Sequence, residues 1–306
     1  MTPAARVQAA IEILDRILLG DAAERALTAW ARTSRYAGSK DRAAVRDLVF
    51  DATRRRRSYA ALSGLAAAAP MTGRALMIGA HAADPDRVFT GVGHAPALLD
   101  GAERGALAAA PSVETLPELV RLECPDWLEA PLRRALGEEF APFLLAMQER
   151  APVYLRVNAA RASVADALAA LARDGVGAEA VPSLEGALVV AENASKIKQS
   201  RAYLEGLVEL QDLSSQAAVA ALPLAPGMKV LDYCAGGGGK SLAIAAHAGL
   251  QVTAHDINAA RLSALPVRAA RARAAIAMAS APQLHGRQFD LTLVDAPCSG
   301  SGTWRR

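Results

Sequence analysis

Val230–Ser241 reads V-L-D-Y-C-A-G-G-G-G-K-S. The apolar run Met228–Asp232 before it has the length of a buried strand, and the residues after Gly239 take up helical spacing. Four consecutive glycines let the backbone turn sharply and approach a ligand closely. The helix that follows offers free N–H groups and a positive dipole end to an anion. A phosphate and a carboxylate meet that requirement equally, so the loop alone does not choose. Downstream, Leu250–His255 and Phe289–Asp295 read as strands, with a weaker one at Ala274–Ala279 and helical segments between them. Strands alternating with helices predict a doubly wound parallel sheet.

Two ligand classes compete for the loop. Gly239-Lys240-Ser241 matches the end of a phosphate-binding G-x-x-x-x-G-K-[ST] loop, and L-T-L-V-D ending at Asp295 resembles a magnesium-holding strand end. The match fails at the first glycine, where Cys234 stands. Asp256, 24 residues after Asp232, closes the next strand (V-T-A-H-D). That is the place for a carboxylate that accepts hydrogen bonds from ribose hydroxyls, which a phosphate loop does not need. The dinucleotide-type reading is preferred. A turn with no ligand needs only one or two of the four glycines.

The rest of the chain divides by texture. Residues 5–19 place Val7, Ile11, Leu14 and Leu18 on one helical stripe, and 22–33 carry Leu27 and Trp30. Ser39 is read as the N-cap of a third helix whose face holds Val45, Leu48, Val49, Ala52 and Tyr59. Further helices are expected at 73–83 and 102–109. After Pro125 the pattern turns to a small α/β module, with strands at Val153–Asn158, Gly186–Ala191 and Gly206–Leu210 and a helix at Ser163–Arg173. The expected domains are 1–115 helical, 120–220 small α/β and 221–306 parallel sheet.

Composition sets outer limits. With 52% hydrophobic and 21% charged residues the chain buries a substantial core. A net charge of +3 does not identify a nucleic-acid partner, but residues 1–60 hold twelve Arg or Lys against seven Asp or Glu. Only five of the 34 basic residues are lysine, a bias that GC-rich coding alone produces, so single arginines carry modest weight. Three cysteines without a C-x-x-C pair argue against a disulfide framework or a zinc site and fit a reducing compartment. The five histidines show no ligand spacing, and no metal is expected. No signal peptide or membrane span is read, so the expected location is cytoplasmic.

Phe289–Arg306, F-D-L-T-L-V-D-A-P-C-S-G-S-G-T-W-R-R, sets Pro297-Cys298 in a polar loop at the carboxyl edge of the sheet, where ligands bind in open α/β folds. A lone cysteine is more often a small buried hydrophobe, but this context favours chemistry. Together with H-D-I-N-A-A-R-L, Gln211–Gln216 (Q-D-L-S-S-Q) and the helical N-terminus, the motifs resemble the RsmB/Sun family of ribosomal RNA (cytosine-5) methyltransferases. The resemblance implies a NusB-like RNA-binding domain, an RRM-like module and a Rossmann-like class I methyltransferase sheet. It implies that Cys234, Ala235, Gly236, Gly237, Gly238, Gly239 and Lys240 cradle S-adenosylmethionine, that Asp256 holds its ribose, and that Asp295 sits between cofactor and cytosine. In the implied chemistry a thiolate adds to carbon 6 of cytosine, carbon 5 takes the methyl group, and a base removes the carbon-5 proton before the thiolate leaves. A free cysteine has a pKa of about 8.5, so such a thiol needs local lowering.

The family's attacking cysteine lies in a later T-C-S motif, expected beyond Arg306, and the cysteine matching Cys298 assists product release. Four of the family's seven strands are read here, so the chain is expected to be truncated and to methylate little or nothing. Cys298 is the nucleophile if no later cysteine exists. A P-loop nucleotidase and a non-catalytic RNA-binding remnant are the alternative readings. The family also places an acid near the adenine, and Ile276–Pro282 has none, which leaves that contact unassigned. RNA, most readily unpaired ribosomal RNA, is the expected partner of a monomer. Arg54, Arg55, Arg56 and Arg57, at the end of the third helix, are candidate phosphate contacts or a solvated helix end. Arg161, Lys196, Lys198 and Arg201 are weaker candidates. Gln211–Gln216 supports the loop or touches RNA, the first being preferred.

Overall fold

The structure, a computed structural model, describes residues 1–65, 70–298, 300 and 305. The alanine run 66–69 and residues 299, 301–304 and 306 of the cysteine motif lie outside the described residues. Met1–Ala151 and Pro152–Gly300 form separate compact units. Among the described residues no helix is long and apolar enough to cross a membrane.

The first unit is helical. Thr2 opens the helix Pro3–Leu18 by accepting the Ala5 amide, and Pro3 stands where its missing N–H costs nothing. Val7, Ile11 and Leu14 pack with Leu27 and Trp30 of Ala23–Thr33, with Val45, Val49 and Ala52 of Ser39–Arg54, and with Leu76 and Ile78 of Gly73–Ala80. Two local readings change. Gly38, not Ser39, holds the N-cap position, and Ser39 is the first helical residue. The helix stops at Arg54 and another runs from Arg56 to Leu62; Tyr59, on the second, still packs against the core that holds Val45, Val49 and Ala52, and its hydroxyl donates to Asp51 at 2.5 Å.

Helices continue through Asp126–Leu136 and Phe140–Gln148, where the sequence reading places the start of the α/β module. Pro125 marks the change of texture but serves as a helix N-cap. Leu122, Cys124, Phe140 and Leu144 then form a small core of their own.

The second unit holds two sheets. β1 (Val153–Val157), β2 (Gly177–Ala180), β3 (Ala187–Glu192) and β4 (Val208–Leu210) pair antiparallel in the order β2-β3-β1-β4, with Leu155 opposite both Leu188 and Leu210. A capping box between Ser163 and Asp166 starts the helix Val164–Arg173, which covers one face through Ala167, Ala170 and Leu171. β2 was not expected, because G-A-E-A has none of the β-branched residues that mark strands.

β5 (Lys229–Asp232), β6 (Gln251–Ala254), β7 (Ile276–Met278) and β8 (Leu291–Leu293) form a parallel sheet in the order β7-β6-β5-β8. The chain runs outward from β5 to β7, then returns to the other side of β5. The direction of winding therefore reverses between β5 and β8, which opens a crevice at their carboxyl ends. The two sheets join through the helix Leu265–Ala272. Asn158 donates to the carbonyls of Gly206 and Ala272 at 3.1 and 3.0 Å. A Cβ on Gly206, at φ +71°, would fall 2.1 Å from the Arg271 carbonyl oxygen.

Candidate functional site

The glycine loop leaves β5 at Asp232 and enters the helix Gly239–Ala245. Gly236 and Gly238 sit at φ +52° and +78°, a region costly for any residue with a Cβ. A Cβ on Gly238 would also come within 2.3 Å of Leu265 Cδ1. Here the glycine provides close packing as well as freedom. Ala235 donates its amide to the His255 carbonyl at 2.8 Å, and Cys234 is half-buried beside it. The amides of Gly237, Gly239 and Lys240 meet no acceptor among the described residues, as expected at the mouth of a helix.

Three carboxylates surround this turn. Asp256, its side chain only 2% exposed, accepts the amides of Gly236 and Asn258, each at 2.9 Å, with Arg261 at 3.4 Å. The Asn258 amide, then the Gly236 amide and Arg261, hold its pKa below the ordinary carboxylate value. Asp232 is buried at the end of β5, where one oxygen accepts the Ser241 hydroxyl at 2.6 Å and the other has no hydrogen-bond partner among the described residues. Burial pushes its pKa up, against the pull of Ser241 and Lys240. Asp295, beyond β8, is exposed and accepts Lys240 Nζ at 2.6 Å. Lys240, Arg261 and Arg268 share the turn with these acids, and a triphosphate seated there would bring its charge against Asp256 directly under the loop.

A cleft of about 570 Å³ opens beside Asp256, at the ends of β6 and β7. Ile257, Leu262, Met278 and Pro282 give it apolar walls, and Gln283 stands at its edge. His255 Nδ1 lies 2.9 Å from the Ala279 carbonyl and ties the two strand ends together, while its ring packs on Tyr233. Sequence reading missed these wall residues. Their one signal was position, in the segments that follow or end β6 and β7 on the ligand-binding edge. It missed also that Arg268 donates to the Gly237 carbonyl while facing Glu209 at 3.4 Å.

Other predicted residues divide. Cys298 is exposed past β8 and its sulfur accepts the Gly300 amide at 3.4 Å. Gln216 is buried and donates to the Gln211 carbonyl at 2.9 Å, while Gln211 accepts from Arg156 at 2.6 Å, so this pair supports the loop structurally. The arginine run does not form one exposed phosphate surface. Arg54 is 9% exposed and donates to the Gln148 carbonyl, and burial lowers its pKa. Arg55 pairs with Asp51, Arg56 reaches the Met71 sulfur, and Arg57 pairs with Asp126. Arg54 and Arg55 both face Asp51, at 3.9 and 3.3 Å, while Arg56 and Arg57, past the break at Arg55, turn to Met71 and Asp126. Lys196, Lys198 and Arg201 are exposed, and Arg161 donates to the Glu205 carbonyl. No group of three potential metal ligands occurs among the described residues.

Residues 124–196 match the family described as Methyltr_RsmF/B-like, ferredoxin-like domain, and residues 219–306 match 16S rRNA methyltransferase RsmB/F. Ribosomal RNA small subunit methyltransferase B of Xanthomonas campestris pv. campestris is 37% identical over 191 residues, covering 60% of this chain and 44% of that protein. The protein of the same name from Vibrio cholerae serotype O1 is 33% identical, covering 60% and 43%. The chain thus spans less than half the length of the curated relatives it matches. The solved structure of a methyltransferase homolog from Pyrococcus horikoshii is 28% identical with a TM-score of 0.55, covering 64% of this chain and 67% of that one. That of PH0851 shares the fold at 19% identity and a TM-score of 0.68, covering all of this chain and 76% of its own.

Proposed function

We propose, from the premise that this chain belongs to the RsmB/Sun family of rRNA methyltransferases, that it methylates carbon 5 of a cytosine in small-subunit ribosomal RNA using S-adenosylmethionine. The observation that carries the reading is the ring of Asp232, Asp256 and Asp295 around a loop with free amides. A sulfonium nucleoside with an amino-acid tail brings two positive charges and one carboxylate, and this set of groups complements all three.

Asp256 keeps lone pairs for ribose hydroxyls after its two backbone bonds, and the apolar cleft walls take the adenine. The open amides of Gly237, Gly239 and Lys240 face the tail carboxylate. Cys234 and Ala235 turn the chain from β5 into that cradle. When bound, S-adenosylmethionine supplies an electrophilic methyl group. The chain's own residues do the positioning. Lys240 fixes Asp295 at the crevice, where its carboxylate receives the exocyclic amine of the base. Cys298 is the thiol at the same edge. It serves product release when a second cysteine supplies the attack, and it attacks carbon 6 itself otherwise. The base must leave its stack to reach this edge, so the substrate is unpaired RNA.

The test is incubation of the complete gene product with small-subunit ribosomal RNA and methyl-labelled S-adenosylmethionine, followed by bisulfite sequencing. Label in a bisulfite-resistant cytosine is expected. Label on another base overturns the cytosine assignment, and ATP binding without S-adenosylmethionine binding overturns the reading altogether. RNA binding without transfer leaves only a binding remnant.

A further inference from the structure

Four arginines of the helical unit gather around one groove that no functional reading has used. The groove, about 720 Å³, runs between Ala23–Thr33 and Ser39–Arg54 and is lined by Arg32, Arg35, Arg42 and Arg46 over a floor of Leu27 and Trp30. Arg42 and Arg46 lie one helical turn apart and share a face. Arg32 ends the first helix and Arg35 follows it in the connecting turn. All four are exposed.

The charge around them is uncompensated. Among the described residues, Arg32, Arg35 and Arg46 make no ion pair, and Arg42 gives only its Nε to the Ala37 carbonyl, at 2.9 Å. The acids of the same helix are engaged elsewhere. Asp41 holds the N-terminal amine and Arg6, and Asp47 holds Arg150. The helix from Ser39 opens at Gly38 without a side-chain cap, so its first amides add partial positive charge to the same end. A cation at a helix end such as Arg32 is ordinary, but three more converging on one groove without an acid are not. Planar guanidinium forks match phosphate oxygens in pairs.

We propose that this groove binds the RNA phosphate backbone and is the docking surface of the helical unit, in place of Arg54–Arg57. The inference rests on the reading that RNA is the substrate, and it adds where the strand lies. Phosphate contacts hold the RNA without reading its bases, so the groove contributes affinity rather than choice of cytosine.

The test compares Arg35→Gln/Arg46→Gln with a charge-matched control, Arg87→Gln/Arg134→Gln, both arginines of which are exposed elsewhere on the unit. Anisotropy of a fluorescein-labelled single-stranded RNA is read across a potassium chloride series, and circular dichroism confirms folding. Loss of two phosphate contacts reduces the slope of log K against log salt by about 1.4. The groove variant is expected to bind about tenfold or more weakly, and the control to stay within about threefold of wild type. Equal effects of the two pairs overturn the proposal and leave the substrate reading intact. Wild-type protein that binds no RNA refutes the substrate reading itself, and the groove with it. If the groove variant loses polyglutamate binding but keeps RNA affinity, the groove belongs to an acidic protein segment and the proposal fails.

Discussion

Replacing Asp256 by Asn changes one atom at the foot of the glycine loop. In the native chain its two oxygens accept the Gly236 and Asn258 amides, both at 2.9 Å, in a nearly buried position. An asparagine must turn its NH₂ toward one of these amides, so a donor faces a donor whichever rotamer it takes. Leaving a buried backbone N–H unsatisfied costs about 1–3 kcal/mol, and losing hydrogen bonds to a charged acceptor adds a similar amount. The exposed Arg261 contact adds less than about 1 kcal/mol. The loop conformation that receives the nucleoside is therefore weakened by about 3 kcal/mol, and the ribose loses an ionised acceptor. The dissociation constant for S-adenosylmethionine should rise roughly 100-fold, with RNA affinity nearly unchanged. Isothermal titration calorimetry on folded variant and wild type reads this directly. A constant within about threefold of wild type would refute both the loop-anchoring argument and the ribose assignment.

Further outcomes follow from the same geometry. Gly238→Ala meets a positive φ and the Leu265 side chain together, so thermal unfolding should show about 2 kcal/mol or more of destabilisation; an unchanged midpoint contradicts the packing described. Glu209→Ala strands Arg268 and Arg271, which it holds at 3.4 and 2.6 Å, and denaturant titration should register a loss of about 3 kcal/mol. Because Asp256 is depressed, the stability it gives is complete above the ordinary carboxylate pKa of about 3.9 and is lost only as pH falls through its lower folded value. Cofactor affinity should not fall through loss of its charge between pH 7 and pH 5, so a drop there that Asp256→Asn removes tells against the assignment. Asp232 has the opposite sign: raised by burial, it stabilises below its ordinary value and loses that contribution as pH rises. Asp232→Asn should therefore leave the neutral-pH unfolding midpoint equal or higher while weakening cofactor binding.

The parallel sheet and its loop were legible because each signal was local. An apolar run, four glycines and an acid at the next strand end all lie within Val230–Asp256. What failed to show needed three dimensions. β2 was silent because G-A-E-A holds no β-branched residue and offers only Ala178 to the core, its place in the sheet being set by pairing with β3. Pro125, where the texture of the sequence changes, stands at the N-cap of the helix Asp126–Leu136, and the first strand follows only at Val153, because the two helices between carry no strand-like pattern. Arg54–Arg57 read either as phosphate contacts or as a solvated helix end, and their reach to Asp51, Gln148, Met71 and Asp126 depends on a helix break at Arg55 that the run itself does not announce. The groove arginines, which make no ion pair among the described residues, are spaced through 32–46, where no run draws the eye. The cleft walls come from two separate places, Ile257 after β6 and Met278 and Pro282 at the end of β7 and in the short helix Ala281–Leu284, and share no motif.

The central claim is that a sulfonium nucleoside lodges between the Gly236–Gly239 turn and the cleft beside Asp256. Crystals of the protein grown with S-adenosylhomocysteine test it most directly. Adenine between Ile257 and Met278, ribose on Asp256 and the amino-acid tail at Gly237–Lys240 are the expected density. The same molecule bound elsewhere, or ATP phosphates filling the turn when both are offered, would contradict it.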